Sequence, residues 1–402
     1  MIIKINPSRA HGTATAPPSK SQAHRLLLCS ALSNGTSTVR GISYSDDILA
    51  TLDCISSLGV PYEKTNDAVI FHGDERKRTD CPVFCCRESG STMRFLIPIS
   101  LTLGDCAVFT GSDRLIERGV GEYERIFRKK GIITEKTSDS ITFRGHLTPG
   151  RYEIKGGISS QFVTGLLLSL PLLDGDSALC VVPPVESRPY IDITLNALRK
   201  FGISIIEAVP NTFYIPGRQG YRLCDLTVEG DWSNAAFLYA LSSVGGDITV
   251  TGLDENSAQG DRVSTSLLSA LDKKEPVIDL SDCPDLAPVL FAVAAYKNGA
   301  VFTGTHRLKI KESDRAAAMA EELAKFGVRV DVSDDSVNVH GGGIRPPTSV
   351  LCSHNDHRIV MALSVLASTV GGVIDGAEAV NKSYPDFFKV LSSLGVDTEV
   401  VE

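Results

Sequence analysis

Residues 17–25, PPSKSQAHR, set Lys20, Ser21 and Arg25 directly ahead of the apolar run LLLCSAL. A helix amino terminus presents unpaired N–H groups and the positive end of the macrodipole, so cations and hydroxyls gathered there form a site for an anion. The same combination recurs at Ser91 and Arg94, at Ser159, Ser160 and Gln161, and at His357 and Arg358, each ahead of an apolar run. In CPDLAP the corresponding place is taken by Asp285. Polar loops elsewhere contribute Arg118, Ser187, Arg188, Lys311, Arg315 and Lys382. Taken singly, each is an ordinary N-cap serine or solvated cation. Taken together they describe a cationic site for small polyanions, whose phosphate and carboxylate groups arginine can grip in bidentate form.

Two series of helices must position these groups. One series begins in polar loops, has apolar residues three and four apart, and leads into alternating strands, as in GISYSDDILATLDCISSLGV before AVIFHG and SRPYIDITLNALRKFGI before TFYIPG. The other, in SKSQAHRLLLCSAL, ESGSTMRFLIPISL, GGISSQFVTGLLLSLPLL, DWSNAAFLYALSSV, CPDLAPVLFAVAAY and HNDHRIVMALSVLA, is apolar nearly all round and is expected to be buried. Both series count six, so the chain reads as six units of roughly 50 to 75 residues, too long for ordinary solenoid repeats. Two domains of three units each fit the length.

The composition narrows the partners. A chain of 402 residues with 43% apolar and 22% charged residues can bury substantial cores. It is acidic, with 48 Asp and Glu against 40 Lys and Arg, and has no basic tail, so nucleic acid is not the expected partner. The longest apolar stretches, such as LLLSLPLL, are too short to span a membrane, and MIIKINPSRAHG lacks the layout of a signal peptide, which leads to an expected cytoplasmic location. The ten cysteines form no CxxC pair, and we expect reduced, mostly buried thiols and no metal site.

Nine segments, PPSKSQAHR, GSTMR, RLIER, SSQF, SRPYIDIT, PDLAP, IKESDR, NDHR and NKSYPDF, occur in one order along almost the whole chain. In that order and at that spacing they resemble the 3-phosphoshikimate 1-carboxyvinyltransferase family, the 5-enolpyruvylshikimate-3-phosphate synthases. The resemblance implies an α/β fold of the α+β type, with two similar domains of three βαβαββ-type repeats and helices packed inside, an inside-out α/β barrel. It implies that residues 1–14 and 229–402 form one discontinuous domain and residues 15–228 the other, with the active site in the cleft between them. The implied reaction moves the enolpyruvyl group of phosphoenolpyruvate to the 5-hydroxyl of shikimate 3-phosphate and releases phosphate by addition and elimination. This is the shikimate-pathway step towards chorismate and the aromatic amino acids, and the target of glyphosate. No cofactor is implied, and a monomer is expected.

By the same resemblance, shikimate 3-phosphate is bound by Lys20, Ser21, Arg25, Ser159, Ser160, Gln161, Ser187, Asp285 and Lys311. Phosphoenolpyruvate is bound by Lys20, Gly90, Arg94, Arg118, Gln161, Arg315, Arg358 and Lys382. Asp285 is the expected base on the 5-hydroxyl, with Glu312 and Lys20 moving the proton at the methylene carbon; the alternative for Asp285 is a helix N-cap. General acid and base groups would thus work in a cationic, water-poor site. Several residues depart from the family pattern: Glu88 and Ser89 ahead of Gly90, Phe95 where proline is common, Arg188 where lysine is familiar, and Arg307 where asparagine is frequent. Glu88 must point away from the anion or pair with a cation such as Arg87. Three other readings compete: a nucleotide-sugar enolpyruvyl transferase, whose first motif and loop cysteine differ from PPSKSQAHR and GSDRLIERGVG, a non-catalytic anion-binding protein, and a metal site at His354 and His357.

Overall fold

The βαβ pattern read from the sequence becomes a repeated sheet. The computed structural model describes residues 1–77 and 79–401. The chain divides into a discontinuous unit, Met1–Ser19 with Glu229–Glu402, and a central unit, Lys20–Val228. The first junction lies after Ser19, not after residue 14 as expected from the sequence. His11–Thr15 pairs in parallel with Asp247–Thr251, Pro18 bridges Gly230, and the Ser19 N–H reaches the Glu229 carbonyl at 2.8 Å, so residues 15–19 stay with the discontinuous unit.

In the central unit three four-stranded sheets share one form: a parallel pair of strands, then two antiparallel neighbours. Val83–Cys85 runs beside Cys106–Thr110, which is followed by Ser140–Arg144 and Ile133–Lys136. Gly150–Lys155, Ser177–Val182, Thr212–Ile215 and Ile206–Val209 repeat the arrangement. In the remaining sheet Leu226–Thr227, the last strand of the unit, takes first place beside Thr36–Arg40, so the exit of the chain completes the sheet of its entry. The discontinuous unit has two such sheets, of which one takes Ile2–Ile5 as its third strand. Its third sheet has only two strands, because the chain passes from the helix Ser264–Ala270 almost directly to the strand Val277–Asp279 and leaves no length for a hairpin.

The six apolar segments form helices Lys20–Leu32, Gly90–Leu103, Ser160–Ser169, Trp232–Ser243, Ala287–Tyr296 and His357–Val370. Runs such as Leu26, Leu27, Leu28 and Cys29, or Val289 to Ala295, are buried on every side, so these helices lie within the two cores, one per unit. The second series is buried on one face only; in Arg188–Lys200 that face is Ile191, Ile193, Thr194, Ala197 and Leu198.

The cysteines correct one expectation. Cys81 and Cys106 are joined in a disulfide. They are opposite each other by extension of the register that pairs Val83 with Val108, a proximity that their separation of 25 residues conceals. Of the free thiols, Cys29, Cys54, Cys86 and Cys283 are buried, whereas Cys85 and Cys352 are exposed. Among the described residues no helix is long and apolar enough to cross a membrane.

Candidate active site

The central unit gathers the ends of its three buried helices. Arg25, one turn into the first, is buried and donates to the hydroxyls of Thr194 and Thr164 at 2.7 and 3.2 Å and to the carbonyls of Tyr190 and Ser21 at 3.0 and 2.6 Å. Its guanidinium stands 5.1 Å from the centre of the Phe95 ring, which forms an aromatic floor for this cation. Arg94, one turn into the second helix, donates to Gln161 Oε1 at 2.8 Å and to the Gly119 carbonyl at 3.1 Å, while Gln161 Nε2 donates to Ser91 Oγ at 3.0 Å. This approach depends on Gly165. A Cβ there would stand 2.2 Å from the Tyr123 hydroxyl and 2.4 Å from the Arg94 carbonyl, and that hydroxyl clasps the carbonyls of Arg94 and Phe162.

Among the described residues neither Arg25 nor Arg94 has a carboxylate partner. Burial lowers Arg25 to about 10. It lowers Arg94 to about 9, with the neighbouring charge of Arg118 adding to the effect. Both remain charged at neutral pH, so these two cations are buried against neutral oxygens, an arrangement that an incoming anion relieves. Gly90 lies among the same groups: a Cβ built on it would stand 2.6 Å from Arg94 Nη1 and 3.1 Å from Arg118 Nη2. Ser159 caps the third helix by accepting from Gln161 N at 3.3 Å, with Ser160 buried beside it. Buried Ser187 holds a left-handed backbone, φ 55°, at the start of Arg188–Lys200. Lys20 opens its helix with its ammonium 2.8 Å from Asp47, a partner that sequence reasoning missed.

In the discontinuous unit three cations, Arg315, Lys311 and Arg358, are held on one carboxylate. Asp285 Oδ1 accepts from Arg315 Nη1 at 2.8 Å and Lys311 Nζ at 3.2 Å, and Oδ2 accepts from Arg358 Nη2 at 3.1 Å. The N-cap alternative for Asp285 is therefore not what the structure has: the cap of Ala287–Tyr296 is Leu286, and the Asp285 carboxylate turns to cations. Arg315 also grips Asp356 through Nε and Nη2, at 2.8 and 3.3 Å. Burial alone would lower Arg315, but Asp356, Asp285 and Glu312 raise it. Burial lowers Lys311, Asp285 raises it, Arg315 and Arg307 lower it again, and it stands at about 8. Glu312 Oε2 lies 2.9 Å from His357 Nδ1. Lys382 donates to the carbonyl of Asn355 at 2.6 Å, where His354 and Asn355 are both left-handed, with φ 49° and 52°.

Further partners were not legible in the sequence. Arg358 Nη1 donates to Ser233 Oγ at 2.7 Å, and the Ser233 hydroxyl bonds buried Asp261. Burial and nearby Asp285 push the Asp261 carboxyl up to about 6 against the pull of Arg358. Asp356 could have been suspected from its place before an apolar run, where it caps Arg358 N at 2.9 Å. Arg87 pairs with Asp53 at 2.6 Å, and Arg188 holds Glu207 with both nitrogens of its fork, at 2.6 and 2.7 Å. Arg307 is buried and donates to the Ser281 carbonyl at 2.7 Å. His354 and His357 do not converge on one ion: His354 meets Glu322 at 2.9 Å, and His357 meets Glu312.

The family model of EPSP synthase (3-phosphoshikimate 1-carboxyvinyltransferase) matches residues 5–391. A protein of Clostridium kluyveri named 3-phosphoshikimate 1-carboxyvinyltransferase is 41% identical over 414 residues, covering 98% of this chain and 97% of its own. One of the same name from Clostridioides difficile is 37% identical over 430 residues, again covering 98% and 97%. Among solved structures, EPSP synthase from Acinetobacter baumannii superposes with a TM-score of 0.81 at 24% identity over 100% of both chains. The enolpyruvyl transferase NikO from Streptomyces tendae does so with 0.79 at 18% identity, over 99% of this chain and 98% of its own. These two share the fold. With buried cations at its helix starts and a match over nearly its whole length, the chain belongs to the EPSP synthase family.

Proposed function

We propose that the chain transfers the enolpyruvyl group of phosphoenolpyruvate to the 5-hydroxyl of shikimate 3-phosphate and releases phosphate. The observation that carries this reading is the pair of buried arginines, Arg25 and Arg94, surrounded by neutral oxygens and lowered by desolvation. Such cations call for anionic ligands, and both substrates are polyanions. The curated relatives' names favour this reading over a nucleotide-sugar acceptor.

In this proposal Arg25, Ser21, Ser159, Ser160, Ser187 and Lys311 hold shikimate 3-phosphate, and Arg94, Arg118, Gly90, Arg315, Arg358 and Lys382 hold phosphoenolpyruvate. Lys20 and Gln161 touch both. Asp285 takes the proton of the 5-hydroxyl as the oxygen attacks the central carbon of phosphoenolpyruvate. Arg315, Arg358 and Lys311 fix the direction of its lone pairs. Glu312, in contact with His357, works with Lys20 in giving a proton to the methylene carbon and taking it back when phosphate leaves. We place the enzyme in the cytoplasm as a monomer without a cofactor, where its phosphorylated substrates are soluble.

Phosphate release from phosphoenolpyruvate tests the reading. It should require shikimate 3-phosphate, and a nucleotide sugar should not replace it. Release with the nucleotide sugar alone, or none with either acceptor, would refute the proposal.

A further inference from the structure

We infer that Thr51 is a positioning residue that ties the helix of Lys20 and Arg25 to the loop carrying Gly90 and Arg94, through a buried line of hydroxyls. The inference rests on the assignment of that loop to phosphoenolpyruvate. Thr51 lies on the helix Asp46–Ser57, one turn beyond Asp47, the counter-ion of Lys20. Its hydroxyl is 2.7 Å from His24 Nδ1 and 2.7 Å from the hydroxyl of Thr92. Thr92 in turn donates to Ser89 Oγ at 2.7 Å. Ser89 is the N-cap of the helix that begins at Gly90, and its oxygen also accepts the Thr92 N–H at 3.3 Å.

Counting protons orders the line. Thr92 has one hydroxyl proton and gives it to Ser89, so the Thr51 proton goes to Thr92 at 2.7 Å in preference to the Asp47 carbonyl at 3.2 Å; with that proton spent on either acceptor, His24 donates to Thr51. The His24 proton therefore sits on Nδ1. Its other nitrogen, Nε2, is buried without a partner among the described residues, and a bare lone pair costs less there than a stranded N–H. Burial, with Lys20 and Arg25 nearby, lowers His24 well below its ordinary value, which keeps the ring neutral and the direction of the line unchanged. The ring also meets Phe95 edge-on at 6.4 Å, the residue that floors Arg25.

His24, Thr51, Ser89 and Thr92 are all at most 1% exposed. Polar groups in such a place are costly unless hydrogen-bonded, and the three contacts from His24 to Thr51, Thr51 to Thr92 and Thr92 to Ser89 hold the ends of the line in one geometry, with His24 Nε2 alone left over. One end lies on the turn between Lys20 and Arg25. The other sets the cap from which Gly90 and, one turn later, Arg94 project. Shikimate 3-phosphate ligands and phosphoenolpyruvate ligands are thereby held in register through a residue that touches neither.

The test compares Thr51→Val, which removes the hydroxyl and keeps the shape, with Thr51→Ser, which keeps the hydroxyl. We expect Thr51→Val to raise the KM for phosphoenolpyruvate about three- to tenfold, the scale of one lost buried hydrogen bond, while the KM for shikimate 3-phosphate, whose ligand Arg25 keeps its own bonds to Thr164, Thr194, Tyr190 and Ser21, changes by less than about twofold. Thr51→Ser should stay near wild type. An unchanged phosphoenolpyruvate KM in Thr51→Val, a parallel rise for both substrates, or equal impairment of the two variants would overturn the inference. If Thr51→Val does not fold, Thr92→Val and Thr92→Ser are judged by the same criteria. Nitrogen-15 NMR of the wild type supplies an independent reading: His24 should be the neutral Nδ1–H tautomer, and the Nε2–H tautomer would reverse the line and refute it. Arg94→Ala, measured alongside, separates the two claims. If it leaves the phosphoenolpyruvate KM unchanged, the assignment of the loop fails; if it raises that KM and Thr51→Val does not, only the role of Thr51 fails.

Discussion

Arg358 meets Asp285 twice, with Nη2 on carboxylate Oδ2 and Nη1 on the backbone carbonyl, both at 3.1 Å. This double contact fixes the direction of the carboxylate as well as its charge, while Arg315 and Lys311 hold the other oxygen. A base so oriented can be tested apart from binding. Asp285→Asn should lower kcat by at least about a hundredfold, the usual weight of a general base, and change the KM for shikimate 3-phosphate far less. Steady-state kinetics decide, and a kcat close to wild type would end the assignment.

Lys311 introduces a pH dependence. Its ammonium titrates near 8, so it is charged below that pH and progressively neutral above it. Only the charged form attracts a phosphate, so affinity for shikimate 3-phosphate should fall as pH rises through this window. Lys311→Arg, which stays charged, should flatten the decline. Calorimetric titrations between about pH 7 and 9.5 give the comparison, and parallel curves for the two forms would exclude Lys311 as the titrating group.

Gly90 offers a steric test. An added methyl would meet the far ends of Arg94 and Arg118, flexible groups that can move, so Gly90→Ala should fold with a stability within about 1 kcal/mol of wild type. Displaced guanidiniums should weaken phosphoenolpyruvate, and the longer glyphosate should lose more, by a further margin of about 1 to 3 kcal/mol. Inhibition curves at matched phosphoenolpyruvate saturation measure this; equal losses for both would show that Gly90 does not line the shared pocket.

Phe95 should matter to the other substrate. Phe95→Leu removes the ring beneath Arg25 and keeps an apolar side chain, so the KM for shikimate 3-phosphate should rise about two- to fivefold, the scale of a cation–π contact. Thermal unfolding should show a loss of roughly 1 kcal/mol from the smaller side chain. A stability loss with both KM values unchanged would leave Phe95 a packing residue only.

The cations and hydroxyls at the helix starts and the two helix series could be read from the chain alone, because both are local properties. Serine, lysine and arginine at a helix terminus act through the backbone of the next turn, and burial on all sides is written in the run of apolar residues itself. What only the tertiary structure decided is which cations are compensated. Arg25 and Arg315 look alike in sequence, each at the start of a helix, yet one is buried among threonine hydroxyls and carbonyls and the other between Asp285 and Asp356. The partners of Lys20, Arg315 and Arg358 lie 27, 41 and 125 residues away, and the pairing of Cys81 with Cys106 follows only from strand register. Charge compensation depends on the few ångströms between side chains brought together by folding, and no local pattern along the chain records that distance.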